Sequence, residues 1–426
     1  MVHHFEHRDG TLYAEDVNLS ELADKVGTPF YVYSSATLRR HVRVVKAAFE
    51  GIPTLLAYAM KANSSDTTSA PAPSVLKLMA SEGAGADVVS LGELERALAA
   101  GIKPEMIVFS GVAKTITEMR RGLTAGIKCF NLESEPELER LSMVASEMGM
   151  TARVSVRINP DVDARTHAKI STGKAENKFG IPFARAREVY ARIAALPSVE
   201  AVGVDMHIGS QITDLEPFGN AFGLMAELVT ELRADGHNIR HIDIGGGLGI
   251  PYHHDQEAPP HPEAYASVVR DKIGQLGCTL VIEPGRLLVG NAGIMVTKVE
   301  YVKEGSTSFI IVDAAMNDLL RPTLYEAHHD VVPVTYSNLP PITADIVGPV
   351  CETGDYLAKG RTIAGVQEGD LLSIMSAGAY GAVMASTYNS RPLIPEVLVD
   401  GDKFHVIRPR KSLDELIGMD SVPDWV

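Results

Sequence analysis

From Leu55 onward, short apolar or β-branched runs alternate with amphipathic stretches of helical period. The runs predict eight strands: Leu55 to Met60, Ala86 to Val88, Met106 to Ser110, Ile127 to Asn131, Arg153 to Asn159, Val202 to Ile208, His241 to Ile244 and Thr279 to Glu283. Between them the pattern predicts helices, among them Leu91 to Ala100, Pro136 to Gly149, Pro182 to Ala195 and Pro217 to Asp235. Strand and helix in alternation imply a parallel sheet. Eight such units over about 250 residues imply a closed (β/α)8 TIM barrel, with an open doubly wound sheet as the alternative. Upstream, after a short polar start, Pro29 to Tyr33 reads as a strand and Ala36 to Phe49 as a helix. After about Pro284 the rhythm changes. Val296 to Tyr301, Ser308 to Val312, Val331 to Thr335, Thr343 to Val347, Leu371 to Met375 and Val397 to Val399 read as short strands separated by turn signals. Few helices intervene, so a C-terminal all-β domain of sandwich or barrel type is expected. The expected division is 1–32 as an N-terminal segment joining the β domain, 33–284 as the barrel and 285–426 as the β domain.

Composition narrows the partners. A chain of 426 residues, 45% hydrophobic, can bury a large core in two or three domains. Its net charge of -15 argues against nucleic acid or an anionic membrane as a partner. Cys129, Cys278 and Cys351 show no C-x-x-C spacing, which suggests a reducing, cytoplasmic setting rather than disulfides or zinc. The polar N-terminus has no apolar core of a signal peptide, and no run is long enough to span a bilayer. The pairs His3-His4, His253-His254 and His328-His329 lack metal-ligand spacing and read as surface residues, so no metal is expected.

Candidate chemistry clusters at the predicted C-terminal strand ends, where a barrel places its active site. Tyr58 to Asn63 reads Y-A-M-K-A-N, and polar Asn63, Ser64, Ser65 and Asp66 stop the strand just past Lys61. A lysine there needs a partner or must become neutral, and burial lowers its pKa, making the amine nucleophilic toward aldehydes. The plainer reading is a lysine reaching solvent. After the seventh strand comes Ile242 to Ile250, I-D-I-G-G-G-L-G-I. It suits an anion, or simply a tight turn, but its spacing is not that of a dinucleotide loop. Val281 to Arg286 reads V-I-E-P-G-R. It would aim Glu283 into the barrel mouth, where a carboxylate can keep a pyridine nitrogen protonated. Alternatively, Glu283 pairs with an arginine. Gly285 and Arg286 add donors for an anion. His207, in M-H-I-G-S-Q, can stack on a flat ring, and Ser210 beside it can donate to phosphate; a satisfied core histidine is the alternative. Asp87 ends the second strand and either orients a neighbour or merely terminates it.

These motifs resemble those of the fold-type III pyridoxal-phosphate-dependent decarboxylases, a barrel followed by a β domain. The resemblance runs from Gly27-Thr28-Pro29 to Arg391-Pro392 and is most specific over Asn159 to Gly180, with Thr166-His167, Thr172-Gly173 and Lys178 to Gly180. It implies that Lys61 holds pyridoxal 5'-phosphate covalently, with Glu283 at the ring nitrogen, His207 on the ring face and Asp87 beside the cofactor. Ser210, Gly246, Gly247 and the backbone from Glu283 through Gly285 to Arg286 would hold the phosphate. Arg286, Arg321 and Tyr325 would bind the substrate's distal end, and Tyr380 would touch both cofactor and substrate. It further implies a homodimer. Cys351 and Glu352, in Gly348 to Asp355 (G-P-V-C-E-T-G-D), would reach the other subunit's site, the first as proton donor and the second reading a distal ammonium. Without the resemblance Cys351 reads as an inert thiol.

An Arg/Arg/Glu set suits a distal group with both carboxylate and ammonium, as in meso-2,6-diaminopimelate. Together with this set, the resemblance implies its decarboxylation at the D centre to L-lysine, the last step of lysine biosynthesis, as the expected activity. Leu287, Ala315 and Thr353 depart from the family pattern, and none carries a role above. A decarboxylase for another basic amino acid, a non-catalytic cofactor carrier and an amino-acid racemase are the rivals.

Overall fold

The computed structural model describes residues 2–64, 74–164, 166–173, 178–253 and 258–426. Eight parallel strands close on themselves: Thr54–Ala59, Gly85–Val88, Ile107–Phe109, Cys129–Leu132, Ala152–Asn159, Val199–Asp205, His241–Asp243 and Thr279–Ile282. Each pairs with the next, and the eighth returns to the first through Val281 opposite Leu55. Ala57, Val108, Cys129, Val202 and Val281 come from five strands yet form one apolar cluster apart from the main core. Such a cluster fits only inside the barrel, where it plugs the interior below the mouth. Helices cover the outside; Glu216–Ala234 turns Phe218, Phe222, Met225 and Leu232 onto the strands. The sixth strand is shifted against the sequence reading. It begins at Val199 and ends at Asp205, so His207 lies two residues past it, in the loop beyond the strand end.

The second unit is a nine-stranded sheet. Gly293–Lys303 is its spine, pairing with Phe309–Val312, Leu371–Ile374 and Phe30–Ser34. The early strand Phe30–Ser34 thus lies between Gly293–Lys303 and Glu396–Asp400, two strands from the far end of the chain. Two strands here lie outside the sequence reading. Tyr356–Ile363 is interrupted by Lys359, Gly360 and Arg361, whereas Lys403–Arg408 does alternate exposed and half-buried positions from Lys403 to Val406 and pairs with Glu396–Asp400 in a hairpin. The polar start is also structured. Phe5–Arg8, Thr11–Ala14 and Val17–Asn18 form a small sheet, followed by helix Leu19–Val26 with Asn18 as its cap. Phe5, Leu12 and Leu22 pack on Phe30, Val32 and Ile294, too few apolar positions per strand to show as a period.

Candidate active site

The first barrel strand ends in a single 3₁₀ turn, Met60–Ala62, which carries Lys61 into the mouth. The turn is pinned from both units. The Tyr58 hydroxyl donates to the Asn63 carbonyl (2.8 Å), Asn63 Nδ2 to the Gly378 carbonyl (3.1 Å) and the Tyr380 N–H to the Ala62 carbonyl (2.8 Å). Ser65 and Asp66 lie outside the described residues. Lys61 Nζ donates to Asp87 Oδ2 at 2.9 Å, and Asp87 is completely buried. This pairing corrects the expectation of a depressed lysine pKa. Burial does work against the charge, but Asp87 and Glu283 outweigh it and hold the ammonium above its ordinary range.

Beneath Lys61 the mouth is rich in buried carboxyls. One carboxyl oxygen each of Asp205, Asp243 and Glu283 lies within 4.8 Å of the other two. Burial, then Asp243, Asp87 and Asp205, push Glu283 well above the usual carboxylate range. Burial and Asp87 push Asp243 up to about 7, despite hydrogen bonds from Gly245 and Asn131. Glu283 Oε1 is buried without a protein partner. The glycine loop beside it exists for close approach. A Cβ at Gly246 would sit 2.2 Å from the Glu283 carbonyl oxygen, and one at Gly247 (φ +109°) 2.3 Å from that of Gly209. The Gly246 N–H donates to His207 Nδ1 at 3.2 Å. That fixes the His207 hydrogen on Nε2, and burial, Arg157 and Lys61 keep the ring neutral.

Lys61, His207, Ser210, Gly246, Gly247, Glu283, Gly285, Arg286 and Tyr380 line one cavity together, with Leu287 in its wall. Nine positions named from the sequence therefore meet in one place. They fit pyridoxal phosphate. An amine faces the cavity, an unpartnered buried oxygen suits a ring N–H, and a glycine cradle with a hydroxyl and a guanidinium suits a phosphate.

Arg286 also lines a second cavity, with Arg321 and Tyr325. Its Nη2 donates to Ser210 Oγ (3.1 Å) and its Nη1 to the Tyr252 hydroxyl (2.5 Å). Tyr252 was not singled out in the sequence. Its ring lies between the two cations, 4.5 Å from the Arg321 guanidinium and 5.7 Å from that of Arg286. The histidine pairs need correction. His329 is fully buried, because its ring nitrogens are satisfied by Arg321 and the Met375 carbonyl. His328 is half-buried and stacks on His253 at 3.5 Å, while His254 lies outside the described residues. A histidine doublet carries no period, so only the fold reveals which member turns inward.

Thr172 Oγ1 donates to the His207 carbonyl (2.9 Å) and Ser171 bridges Gly209, so these two residues buttress the histidine loop; residues 165 and 174–177 lie outside the described ones. Cys351 and Glu352 stand apart. Both are exposed and line neither cavity. Their loop is held from below by Asp355, which accepts from the Val350 and Met316 N–H groups (2.6 and 2.7 Å). The Tyr388 hydroxyl donates to Glu352 at 3.1 Å.

The barrel, the lysine at its mouth and the buried acid define a class, and comparison with known proteins agrees. The chain belongs to the pyridoxal-dependent decarboxylase family, whose pyridoxal-binding domain matches residues 35–290. Within it, the chain is 51% identical to the diaminopimelate decarboxylase of Pseudomonas aeruginosa, covering 98% of this chain and 99% of that one. It is 50% identical to the diaminopimelate decarboxylase of Vibrio cholerae, covering 97% of each. The crystal structure of diaminopimelate decarboxylase from Helicobacter pylori, complexed with L-lysine, superposes with a TM-score of 0.90 at 41% identity, over 94% of this chain and 99% of that one. Among the described residues, no helix is long and apolar enough to cross a membrane.

Proposed function

We propose that this chain decarboxylates meso-2,6-diaminopimelate at its D centre to give L-lysine and carbon dioxide, the last step of lysine biosynthesis. It does so with pyridoxal phosphate, as a cytoplasmic homodimer. Bound there, the cofactor supplies an electron sink for the charge left when carboxylate departs. Lys61 is the attachment point, and Asp87 Oδ2, 2.9 Å from its Nζ, is the nearest acceptor for the proton the amine must shed. The free Glu283 oxygen would keep the ring nitrogen protonated, and neutral His207 would not compete for that proton. Ser210, Gly246, Gly247, Gly285 and Arg286 would hold the phosphate; Arg286, Arg321 and Tyr325 would hold the substrate's distal end, with Tyr380 nearby.

The observation that carries the substrate is Arg286 bordering both cavities, with a second buried guanidinium, Arg321, beyond it. Two cations at the distal end want a carboxylate there, which ornithine and arginine lack. Exposed Cys351 and Glu352 are supplied to the partner subunit's cavity, as proton donor and ammonium reader. The test is turnover across amino acids. Lysine formed with equimolar carbon dioxide from meso-diaminopimelate supports the assignment; strong ornithine turnover without it rejects the substrate, and racemisation without carbon dioxide rejects the reaction.

A further inference from the structure

We infer that His329 is a positioning residue for substrate selection: its Nε2 edge fixes the Arg321 guanidinium against Tyr252 and so sets where the distal carboxylate is received. The inference rests on the reading that Arg286 and Arg321 take that carboxylate. His329 Nδ1 lies 2.8 Å from the Met375 carbonyl oxygen, which can only accept, so Nδ1 carries the hydrogen. Nε2 is then a bare acceptor, and Arg321 Nη1 donates to it at 2.7 Å. A protonated ring would turn a donor toward a guanidinium that has no acceptor. Burial and the Arg321 charge hold the ring neutral instead.

Arg321 is therefore gripped on an edge by His329 and on a face by Tyr252, whose ring stands at 80° to the His329 ring with centroids 5.3 Å apart. Tyr252 in turn accepts from Arg286. Arg321 belongs to the outer unit and Arg286 to the barrel's eighth strand end. The frame from the Met375 carbonyl through His329, Arg321 and Tyr252 to Arg286 fixes the spacing of two cations from separate units. Buried Arg321 Nε has no protein partner, so the guanidinium keeps an N–H to offer. A long side chain immobilised beforehand loses less freedom on binding, which is a gain in substrate affinity rather than in chemistry.

His329→Phe keeps the ring volume and removes the acceptor. The expected result is a KM for meso-diaminopimelate raised roughly ten- to hundredfold, the worth of a hydrogen bond to a charged group. Both kcat and the absorbance of bound pyridoxal phosphate should stay near wild type. Arg321→Ala should raise KM as well, and the double variant should be no worse than the worse single. His329→Gln, whose amide oxygen can accept from Arg321, should recover KM to within about threefold. Nitrogen-15 spectra of the wild-type holoenzyme, with His329 assigned by its loss in His329→Gln, should show a neutral Nδ1–H ring. An unchanged KM in His329→Phe, a loss confined to kcat, additive singles, or a charged or Nε2–H ring would each overturn the inference. If Arg321→Ala itself leaves KM unchanged, the substrate reading fails and takes this inference with it. If Arg321→Ala raises KM and His329→Phe does not, this inference alone fails.

Discussion

The two regions that meet at Arg286 at the barrel mouth are built to opposite electrical specifications. Under Lys61, Asp87, Asp205, Asp243 and Glu283 are sealed from water, and one oxygen each of Asp87, Asp205 and Glu283 has no protein partner. Toward the outer unit, Arg286 and Arg321 are equally buried, braced by a tyrosine and a neutral histidine. Burying either set is costly without a complement. Each end is therefore specified by what it lacks. One keeps an oxygen without a protein donor, the other pairs two cations with no carboxylate, and on the proposed reading a cofactor ring and a dicarboxylate substrate would answer them. The lesson is that selectivity here is written as two unsatisfied electrostatic demands, with Arg286 as their shared boundary.

Breaking the anionic end at Lys61 should do the most. Lys61→Ala should abolish turnover and remove the borohydride-reducible adduct, read by absorbance and mass mapping; an adduct surviving elsewhere would relocate the site. Cys351→Ala should lose about 10²–10⁴-fold in kcat, the usual worth of general-acid help, while keeping cofactor absorbance. Mixing it with Lys61→Ala should regain activity if the site is shared between subunits. Glu283→Gln replaces the ring's carboxylate with a neutral amide and should cost on the order of 10²-fold in kcat with little change in KM. Breaking the cationic end should invert that split. Arg321→Ala should raise KM about ten- to hundredfold and lower kcat little, measured by steady-state kinetics.

The smallest effect sharpens the comparison through pH. A carboxyl whose folded pKa is raised binds more protons folded than unfolded, so its contribution falls as pH rises toward that pKa. Asp243, near 7 when folded, should make the cofactor-free protein lose about 1 kcal/mol as pH climbs from about 6 to 8. Buried His41, lowered by burial to about 4, acts in the opposite sense and still adds stability until pH has passed its unfolded value of about 6.5, but it does so equally with and without cofactor. The melting-temperature gap between holo- and apoprotein should therefore widen with pH across that window. Buried His207, His241 and His329 are also held neutral and add stability over the same range, so the difference between wild type and Asp243→Asn in the cofactor-free protein is what reads the carboxyl; a difference that stays constant from about pH 6 to 8 would show that the acidic end carries no strain.

Most of the barrel was readable because its strands are short apolar runs at regular spacing, and the site because barrel chemistry falls at strand ends. Lys61, Glu283 and the glycine loop were found that way. What stayed hidden depends on tertiary direction. His329 and Tyr252 have no motif, and their roles arise only where the outer sheet folds back over the barrel mouth. The charge state of Lys61 was misjudged for the same reason: sequence shows that a lysine is buried, but not that Asp87 from the next strand is 2.9 Å away. The N-terminal sheet and Tyr356–Ile363 were missed because their apolar positions are too few or interrupted.

The placement of Phe30–Ser34 between Gly293–Lys303 and Glu396–Asp400 has a consequence for biogenesis. That strand leaves the ribosome early, yet both its neighbours emerge only after the entire barrel has been translated. Until then it carries two unpaired edges, the kind of surface that invites mispairing with other nascent chains. Chaperone dependence, and a sharp penalty for premature termination, should concentrate there rather than in the barrel, whose successive strands find their partners as they appear.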